Sequence, residues 1–311
     1  MTLAPFVQIV ARGQGRARAM TFDEARQAMQ VILEGRAAPE AVGALLMVLR
    51  LRGESAGEIA GFTAALRAQP RQQVPGADLD WPVYAAGRTR GAPLFVLSAR
   101  LVAQAGFRVH MHGWNGKTQN AALLRSAARA ASPGVVYSPL ETLHPEAYRL
   151  LRLRDSFGLR SCINTVLRMW NPSGAPVSVQ GVFHPSYRGL QATAAEMLGD
   201  RNLTVIKGGG GEFERHPGKT ISLFGLRDGV HIERCAPALL DETRRLHQSD
   251  AGVDASALWS GLQHDAFAQA TVTGTAALAL WSLRAAQTVE EAQALAERLW
   301  SARNTNERLT A

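Results

Sequence analysis

The chain has 311 residues, 46% of them hydrophobic and 19% charged, which excludes a long disordered or collagen-like protein. Its 34 Lys and Arg residues outnumber 26 Asp and Glu residues, so the formal net charge is +8; this favours polyanionic partners, although an arginine-rich base composition produces the same excess. The two cysteines, Cys162 and Cys235, have no CxxC spacing, and no window approaches 18 consecutive apolar residues, so the sequence indicates a cytoplasmic protein without a zinc cluster or a membrane partner.

The first seventy residues are predicted to be helical. Thr21 begins the segment TFDE and Ser55 begins SAGE, and each has the spacing of a capping box, with Glu24 and Glu58 at the third helical position. Short helices with apolar stripes and short connections are typical of a small bundle. We therefore expect residues 1–75, joined by part of residues 140–170, to form a small all-helical domain.

Strand and helix patterns alternate after a Pro- and Gln-rich break near residue 75. Short apolar runs predict strands, and longer periodic segments between them predict helices, as in PVYAA, APLFVLSARLVAQAG, FRVHMHG, TQNAALLRSAARAAS and GVVYS. Such alternation is typical of an α/β fold with a mainly parallel central sheet, in which ligands bind beyond the carboxyl ends of the strands. The sequence therefore predicts a larger α/β domain with a cleft over residues 80–311.

Glycine-rich loops follow three of the predicted strands, at Gly87–Gly91, Gly113–Thr118 and Gly208–Gly211. Glycine allows backbone N–H groups to approach a phosphate, although turns of any α/β sheet also need glycine. Neither GKT triplet is a P-loop, because Met111 and Phe213 stand where that motif requires its earlier glycine. The three lysines of the chain, Lys117, Lys207 and Lys219, each lie beside a glycine in a predicted loop segment.

The order of the motifs resembles the anthranilate phosphoribosyltransferase and pyrimidine nucleoside phosphorylase superfamily. The resemblance is strongest over Arg154–Pro185, where FGLRSCIN, NPSGAP and GVFHP follow one another in the family's order, and it extends to Leu45–Gly61 in the helical part. It implies a helical domain beside an α/β domain, and a homodimer formed through the helical domains.

Several positions depart from the enzymes' pattern. The diphosphate loop GTGGD corresponds to a stretch ending in Gly87–Gly91, and the KHGNR motif to Met111–Asn115. The acidic pair that holds magnesium corresponds to Phe213 and Glu214, and the arginine that recognises anthranilate corresponds to Asp155. The pattern therefore resembles the TrpD-like, non-synthase branch of the superfamily, typified by YbiB, which implies a degenerate active site.

This resemblance, together with the charge, predicts a homodimer that binds single-stranded DNA or RNA without sequence specificity, and no phosphoribosyl transfer to anthranilate. No catalytic residue, metal ligand or cofactor is assigned. The predicted phosphate contacts are Arg88, Arg90, Lys117, Lys207, Gly208, Gly209, Gly210, Gly211, Arg215 and Lys219.

Two alternatives remain at this point. The first is a glycosyl or phosphoribosyl transferase with an unknown acceptor, which would use phosphoribosyl diphosphate and Mg²⁺. The second is a structural dimer whose basic charge reflects composition alone. The position of the loop arginines separates nucleic-acid binding from the structural dimer, because a nucleic-acid interface needs the arginines along one continuous groove.

Overall fold

The computed structural model describes residues 2–13, 15–69, 74, 76–84, 92–114, 134–242 and 252–304. Its α-helices, in chain order, are α1 (Ala4–Ala11), α2 (Phe22–Leu33), α3 (Pro39–Arg52), α4 (Ala56–Ala68), α5 (Leu94–Gln104), α6 (Leu140–Leu143), α7 (Pro145–Phe157), α8 (Ile163–Arg168), α9 (Tyr187–Met197), α10 (Ala255–Ser260), α11 (Ala266–Ser282) and α12 (Val289–Ala302). A 3₁₀ turn covers Gly209–Gly211.

The described residues form one seven-stranded sheet in the order β3-β2-β1-β4-β5-β6-β7. The strands are β1 (Leu79–Val83), β2 (Val109–Gly113), β3 (Val135–Pro139), β4 (Val177–Val182), β5 (Leu203–Lys207), β6 (Ile221–Arg227) and β7 (Val230–Ala236). The first five strands of that order run parallel, and β6 and β7 pair antiparallel at one edge. The predicted fold class, a small helical domain with an α/β domain around a mostly parallel sheet, is confirmed.

The predicted capping boxes mark where helices begin. The Thr21 and Ser55 side chains accept hydrogen bonds from the backbone N–H groups of Glu24 and Glu58. In return, each glutamate carboxylate accepts a hydrogen bond from the backbone N–H of the capping residue. Glu58 is fully buried and also accepts from the N–H of Met20. One side chain therefore starts α4 and holds the chain that enters α2.

The helices of residues 4–68 and 140–168 share one apolar core on one face of the sheet, with α9 between them and β5. The helices α2 and α4 pack so closely that a Cβ added at Gly61 would lie 2.3 Å from the carbonyl oxygen of Phe22. On the other face, α5, α11 and α12 pack together over a second core. The sheet is therefore the middle of three layers.

Two side-chain contacts join the helical elements to the α/β part next to α9. Arg67 on α4 makes a bidentate ion pair with Asp200, with N–O distances of 2.7 and 2.8 Å. The Tyr187 hydroxyl on α9 donates to Glu54, which follows α3, at 2.7 Å. Both contacts are part-buried, so they help set how the two parts meet.

Several predicted details differ from the structure. The first strand begins at Leu79, three residues before the predicted PVYAA run, because Asp80 lies inside the sheet. Leu45 and Leu49 are fully buried in the helical core, whereas Leu51 is 91% exposed. The predicted helix TQNAALLRSAARAAS lies outside the described residues.

Within the described part of the chain, none of the helices is long and apolar enough to cross a membrane.

Candidate functional site

The carboxyl ends of the parallel strands meet at one edge of the sheet, and the candidate site lies there. The strand order reverses between β1 and β4. From β1 the chain continues to β2 and β3 on one side of the sheet, and β4 and β5 lie on the other side of β1. Such a switch point leaves a crevice outside the strand ends, where α/β proteins bind their ligands.

A cavity of about 90 Å³ opens beside the end of β4. Its walls come from the end of α3, the segment through α8, and the segment that joins β4 to α9. The lining residues are Arg50, Glu54, Arg160, Ser161, Asn164, Thr165, Arg168, Val182, Phe183, His184 and Tyr187. Three arginines and one glutamate in this set make the cavity strongly basic.

Arg168 is the most buried charged group of this cavity, with 7% of its surface exposed. The helix α8 places it one turn beyond Asn164 and Thr165, so the three side chains share one face. Asn164 donates to the carbonyl oxygen of Tyr84 at 3.4 Å, whereas Arg168 makes no ion pair with a carboxylate of the described ranges. Burial lowers the pKa of Arg168 to about 10, so the guanidinium remains charged at neutral pH.

Further charges surround Arg168. Arg160 is half-buried, and its pKa is lowered by burial and then by the positive charge of Arg154, while the nearby Glu212 raises it. Glu212, itself buried, also acts on Arg168. The Arg154 guanidinium lies over the ring of Trp114, 5.7 Å from its centroid, and its buried Nη1 has no described partner. Positive charge is thus concentrated near the ends of β2, β4 and β5.

The helix α7 directs Arg154 and Asp155 differently from what the resemblance implies. Asp155 stands at the position of the family's anthranilate-recognising arginine, so the resemblance implies that Asp155, rather than its neighbour Arg154, faces the cleft. The structure places Asp155 on the exposed side of α7, where it pairs with Arg152 at 2.5 Å, and turns Arg154 toward Trp114. Adjacent residues on a helix point about 100° apart, so a small error in helix orientation exchanges their roles.

Glu214, which the sequence analysis placed at one position of the family's acidic pair, is directed into the protein interior. Glu214 is fully buried and accepts a hydrogen bond from the N–H of Phe95 at 3.1 Å, at the start of α5. Phe213 is buried against Trp81, with ring centroids 5.4 Å apart. Within the described ranges no group of three His, Cys, Asp or Glu side chains could hold a metal ion.

The glycine run after β5 forms a tight turn that uses its own backbone donors. Gly208 donates to the Val182 carbonyl, Gly209 to that of Glu214, and Gly211 to that of Gly208. A Cβ on Gly181 of β4 would lie 2.0 Å from the carbonyl carbon of Glu212, so the turn packs directly on the neighbouring strand. The prediction that Gly208–Gly211 offers its N–H groups to phosphate is therefore wrong for these three donors, and the glycines serve a close approach.

The other predicted contacts divide into three groups. Lys207 and Lys219 are exposed, at the end of β5 and just before β6, which starts at the same edge of the sheet. Arg215 is 1% exposed and donates to the Pro237 carbonyl oxygen, so the prediction that it lines an exposed groove is wrong, because it is enclosed beside α11. The remaining three predicted cations, Arg88, Arg90 and Lys117, lie outside the described residues.

A buried polar network lies in the sheet beneath the cavity. The Tyr84 hydroxyl and His112 Nδ1 are 2.9 Å apart, and His112 Nε2 lies 3.1 Å from Asp80. Ser178 on β4 donates to the same carboxylate at 3.0 Å. His110, stacked on His112, has its pKa lowered to about 4 by burial and by that neighbour. The buried side chains where β1, β2 and β4 meet are therefore polar rather than apolar.

Comparison with known proteins places this geometry in a family. The family model for the glycosyl transferase helical bundle domain matches residues 5–69. Anthranilate phosphoribosyltransferase 1 of Ralstonia nicotianae is 30% identical over 234 residues, which cover 68% of this chain and 67% of that protein. The anthranilate phosphoribosyltransferase of Rhizobium rhizogenes is 30% identical over 245 residues, with 73% and 70% covered.

The chain belongs to the anthranilate phosphoribosyltransferase superfamily of glycosyl transferases. The crystal structure of the Thermus thermophilus enzyme superposes on it with a TM-score of 0.75 at 23% identity, over 92% of each chain. These comparisons support membership of the superfamily and do not distinguish its non-synthase branch.

The sequence interpretation of this superfamily member missed the cavity arginines. Arg160 was noted only as part of FGLR, and Arg168 was not singled out. One signal was present, since Asn164, Thr165 and Arg168 have the i, i+1, i+4 spacing that puts polar side chains on one side of a helix. Their burial against β4, which makes that pattern informative, depends on the tertiary fold.

Proposed function

We propose that the protein is a phosphoribosyl or related glycosyl transferase that acts on a small anionic substrate. In this class the acceptor forms a bond to the sugar C1 while the bond from C1 to the diphosphate oxygen breaks, and diphosphate leaves with the electron pair. The proposal is supported by the relatives named anthranilate phosphoribosyltransferase, at 30% identity over two thirds of their length. The acceptor of this chain is left open here.

The observation that carries the proposal is the concave position of the basic groups. Arg168 is 7% exposed inside a cavity of about 90 Å³, so an extended nucleic-acid backbone does not reach it, whereas a group of a small molecule does. Arg215 is enclosed and leaves the predicted surface groove with fewer cations. Buried charge in a concave site is typical of small-molecule recognition.

The residues of the cavity would position the substrate and stabilise negative charge. Guanidinium groups held in a partly dehydrated site act more strongly on a developing charge than the same groups in water. Arg160 and Arg168 are such groups, and Asn164 adds an amide beside them. Their expected contribution is therefore orientation and charge stabilisation.

The test is an assay of diphosphate release from phosphoribosyl diphosphate, with and without Mg²⁺, over a panel of amine, carboxylate and nucleobase acceptors. We expect acceptor-dependent release that falls at least tenfold in Arg168→Met. The exposed Arg298 on α12 provides the control variant, Arg298→Gln, which should match the parent. Absence of release with every acceptor would contradict the proposal.

Nucleic-acid binding and homodimer formation remain predictions. Fluorescence anisotropy with a labelled single-stranded oligonucleotide tests the first, with the double variant Lys207→Ala, Lys219→Ala expected to reduce the salt slope by about two units if both lysines contact phosphate. Light scattering tests the second, and the exposed Leu51 on α3 is the position where a charged substitution should separate the subunits.

A further inference from the structure

The cavity beside β4 has more positive than negative groups. Among the described residues, its lining contains Arg50, Arg160 and Arg168 against the single carboxylate of Glu54, an excess of two positive charges. Including the next nearest groups, Arg154 and Glu212, leaves that excess unchanged. A ligand that neutralises the cavity therefore has two negative charges.

The carboxylates nearby do not neutralise the innermost arginine. Glu54 accepts the hydrogen bond of the Tyr187 hydroxyl, and it makes no ion pair with Arg168. Glu212 influences Arg160 and Arg168 together, so one carboxylate is shared between two guanidinium groups. Arg168 makes no ion pair with a carboxylate of the described residues. Since a buried charge without an ion pair is unfavourable by several kcal/mol in a protein interior, Arg168 is placed to bind an anionic ligand.

The size and the entrance of the cavity limit what that ligand is. A volume of about 90 Å³ is enough for an oxyanion group. Phe183 stands at the wall of the cavity with 56% of its surface exposed, and the His184 ring meets it edge-on at 5.0 Å. An exposed aromatic side chain at this position offers a surface for the remainder of a ligand with a planar ring.

We propose that this cavity recognises the acceptor through a dianionic group, a phosphate monoester or a pair of carboxylates, and that Arg168 is the residue that selects it. The inference rests on the proposed transferase function and names the class of its acceptor. The dianionic group contacts Arg168 and Arg160, and an attached ring packs on Phe183. Arg168 is a specificity-determining residue, since it contacts the charged group by which the acceptor is selected.

Equilibrium binding of four aromatic probes tests the charge requirement. Isothermal titration calorimetry at constant ionic strength compares phenyl phosphate and phthalate, which are dianions, with benzoate, a monoanion, and benzamide, which is neutral. We expect at least one dianion to bind tenfold or more tightly than benzoate, and benzamide to bind more weakly still. Tight phenyl phosphate with weak phthalate identifies a phosphate monoester, and the reverse order identifies a dicarboxylate.

Variants test whether Arg168 makes the distinction. In Arg168→Met, whose side chain fills similar space, both dianions should lose tenfold or more in affinity while benzamide is unaffected; Arg168→Lys should recover part of the loss. Arg298→Gln removes an exposed arginine of α12 and should change nothing. If Arg168→Met does not fold by circular dichroism, Arg160→Gln provides the same test from a half-buried position.

The pH dependence provides a second readout. Phosphate monoesters lose their second proton near pH 6, so phenyl phosphate should bind more tightly at pH 7.5 than at pH 5 in the parent, and this difference should shrink in Arg168→Met. Equal affinity for benzoate and both dianions in the parent, or unchanged dianion affinity in Arg168→Met, would overturn the inference.

The outcome is separable from that of the proposed function. If dianion binding depends on Arg168 but no acceptor gives diphosphate release, the recognition site is supported and the proposed transferase function is contradicted. If neutral acceptors give diphosphate release that Arg168→Met does not change, the proposed transferase function is supported and dianion recognition by Arg168 is contradicted.

Discussion

Arg168 and Arg215 are both buried, and burial lowers the pKa of each to about 10, yet their surroundings differ. Arg215 is enclosed by protein: its guanidinium donates to the Pro237 carbonyl, and its Cδ packs on Gly274 of α11, where an added Cβ would lie 3.0 Å away. Arg168 faces a cavity and makes no ion pair with a carboxylate of the described residues. The same residue type is therefore a structural anchor at one position and a candidate ligand contact at the other, and the space in front of the side chain decides which.

The largest expected effect is a loss of stability in Arg215→Ala. Removing this side chain leaves a void between α11 and the segment after β7 and an unpaired Pro237 carbonyl, which together should lower the free energy of unfolding by about 4 kcal/mol. Arg168→Ala opens onto the cavity, where water can enter, and should lower it by about 1 kcal/mol or less. Urea unfolding measures both, and equal losses would remove the distinction between the two arginines.

His110 sharpens the comparison, because histidine can lose its charge and arginine cannot. Its folded pKa of about 4 lies below the ordinary value of 6.5, so between these values the unfolded chain binds the proton more strongly. The free energy of unfolding should therefore be constant above pH 6.5 and fall by about 3 kcal/mol as the pH drops to 4. The groups that face His110 are Ser138, His112 and Asp80.

Urea unfolding of His110→Gln at several pH values checks this expectation. In the variant, most of the decrease in the free energy of unfolding at low pH should be absent. A smaller decrease should remain because burial also lowers the pKa of His144. His231→Gln on the exposed edge strand β7 is the control. A parent and variant with parallel stability curves between pH 4 and 6.5 would contradict the expectation.

Gly181→Ala tests the close packing of β4 against the turn that carries Glu212, the carboxylate near the cavity arginines. The added Cβ would lie 2.0 Å from the Glu212 carbonyl carbon, so the turn has to move, at a cost of about 2 kcal/mol. Gly189→Ala on α9, where nothing lies within 4 Å of the new Cβ, should instead stabilise the protein by about 0.5–1 kcal/mol. Thermal unfolding measures the pair, and similar melting temperatures for the two variants would show that the turn does not need its glycine neighbour.

The smallest effect should have the opposite sign. Arg168→Met replaces a dehydrated charge without an ion pair to a described carboxylate by an apolar side chain of similar length, and it should raise the free energy of unfolding of the unliganded protein by about 1 kcal/mol. A differential scanning measurement without added anions detects this gain. A clear loss of stability would mean that Arg168 supports the fold, as Arg215 does.

The sequence predicted the elements better than the site. Capping boxes at Thr21 and Ser55 and the alternation of strands and helices are local patterns, and the structure confirms them. The environments of Arg168 and Arg215 are not local, because burial depends on which chain segments pack around a residue far apart in sequence. The exchange of Arg154 and Asp155 has the same origin, since helix periodicity fixes their relative directions and tertiary packing fixes which one turns inward.

The contacts of Arg67 with Asp200 and of Tyr187 with Glu54 have a mechanical consequence. Both connect the helical part to residues in or next to α9, so any shift of the helical part relative to that helix has to stretch or break them. The cavity takes Arg168 from the helical part and Phe183 from the segment before α9. A ligand that contacts both residues would add a third connection between the two parts.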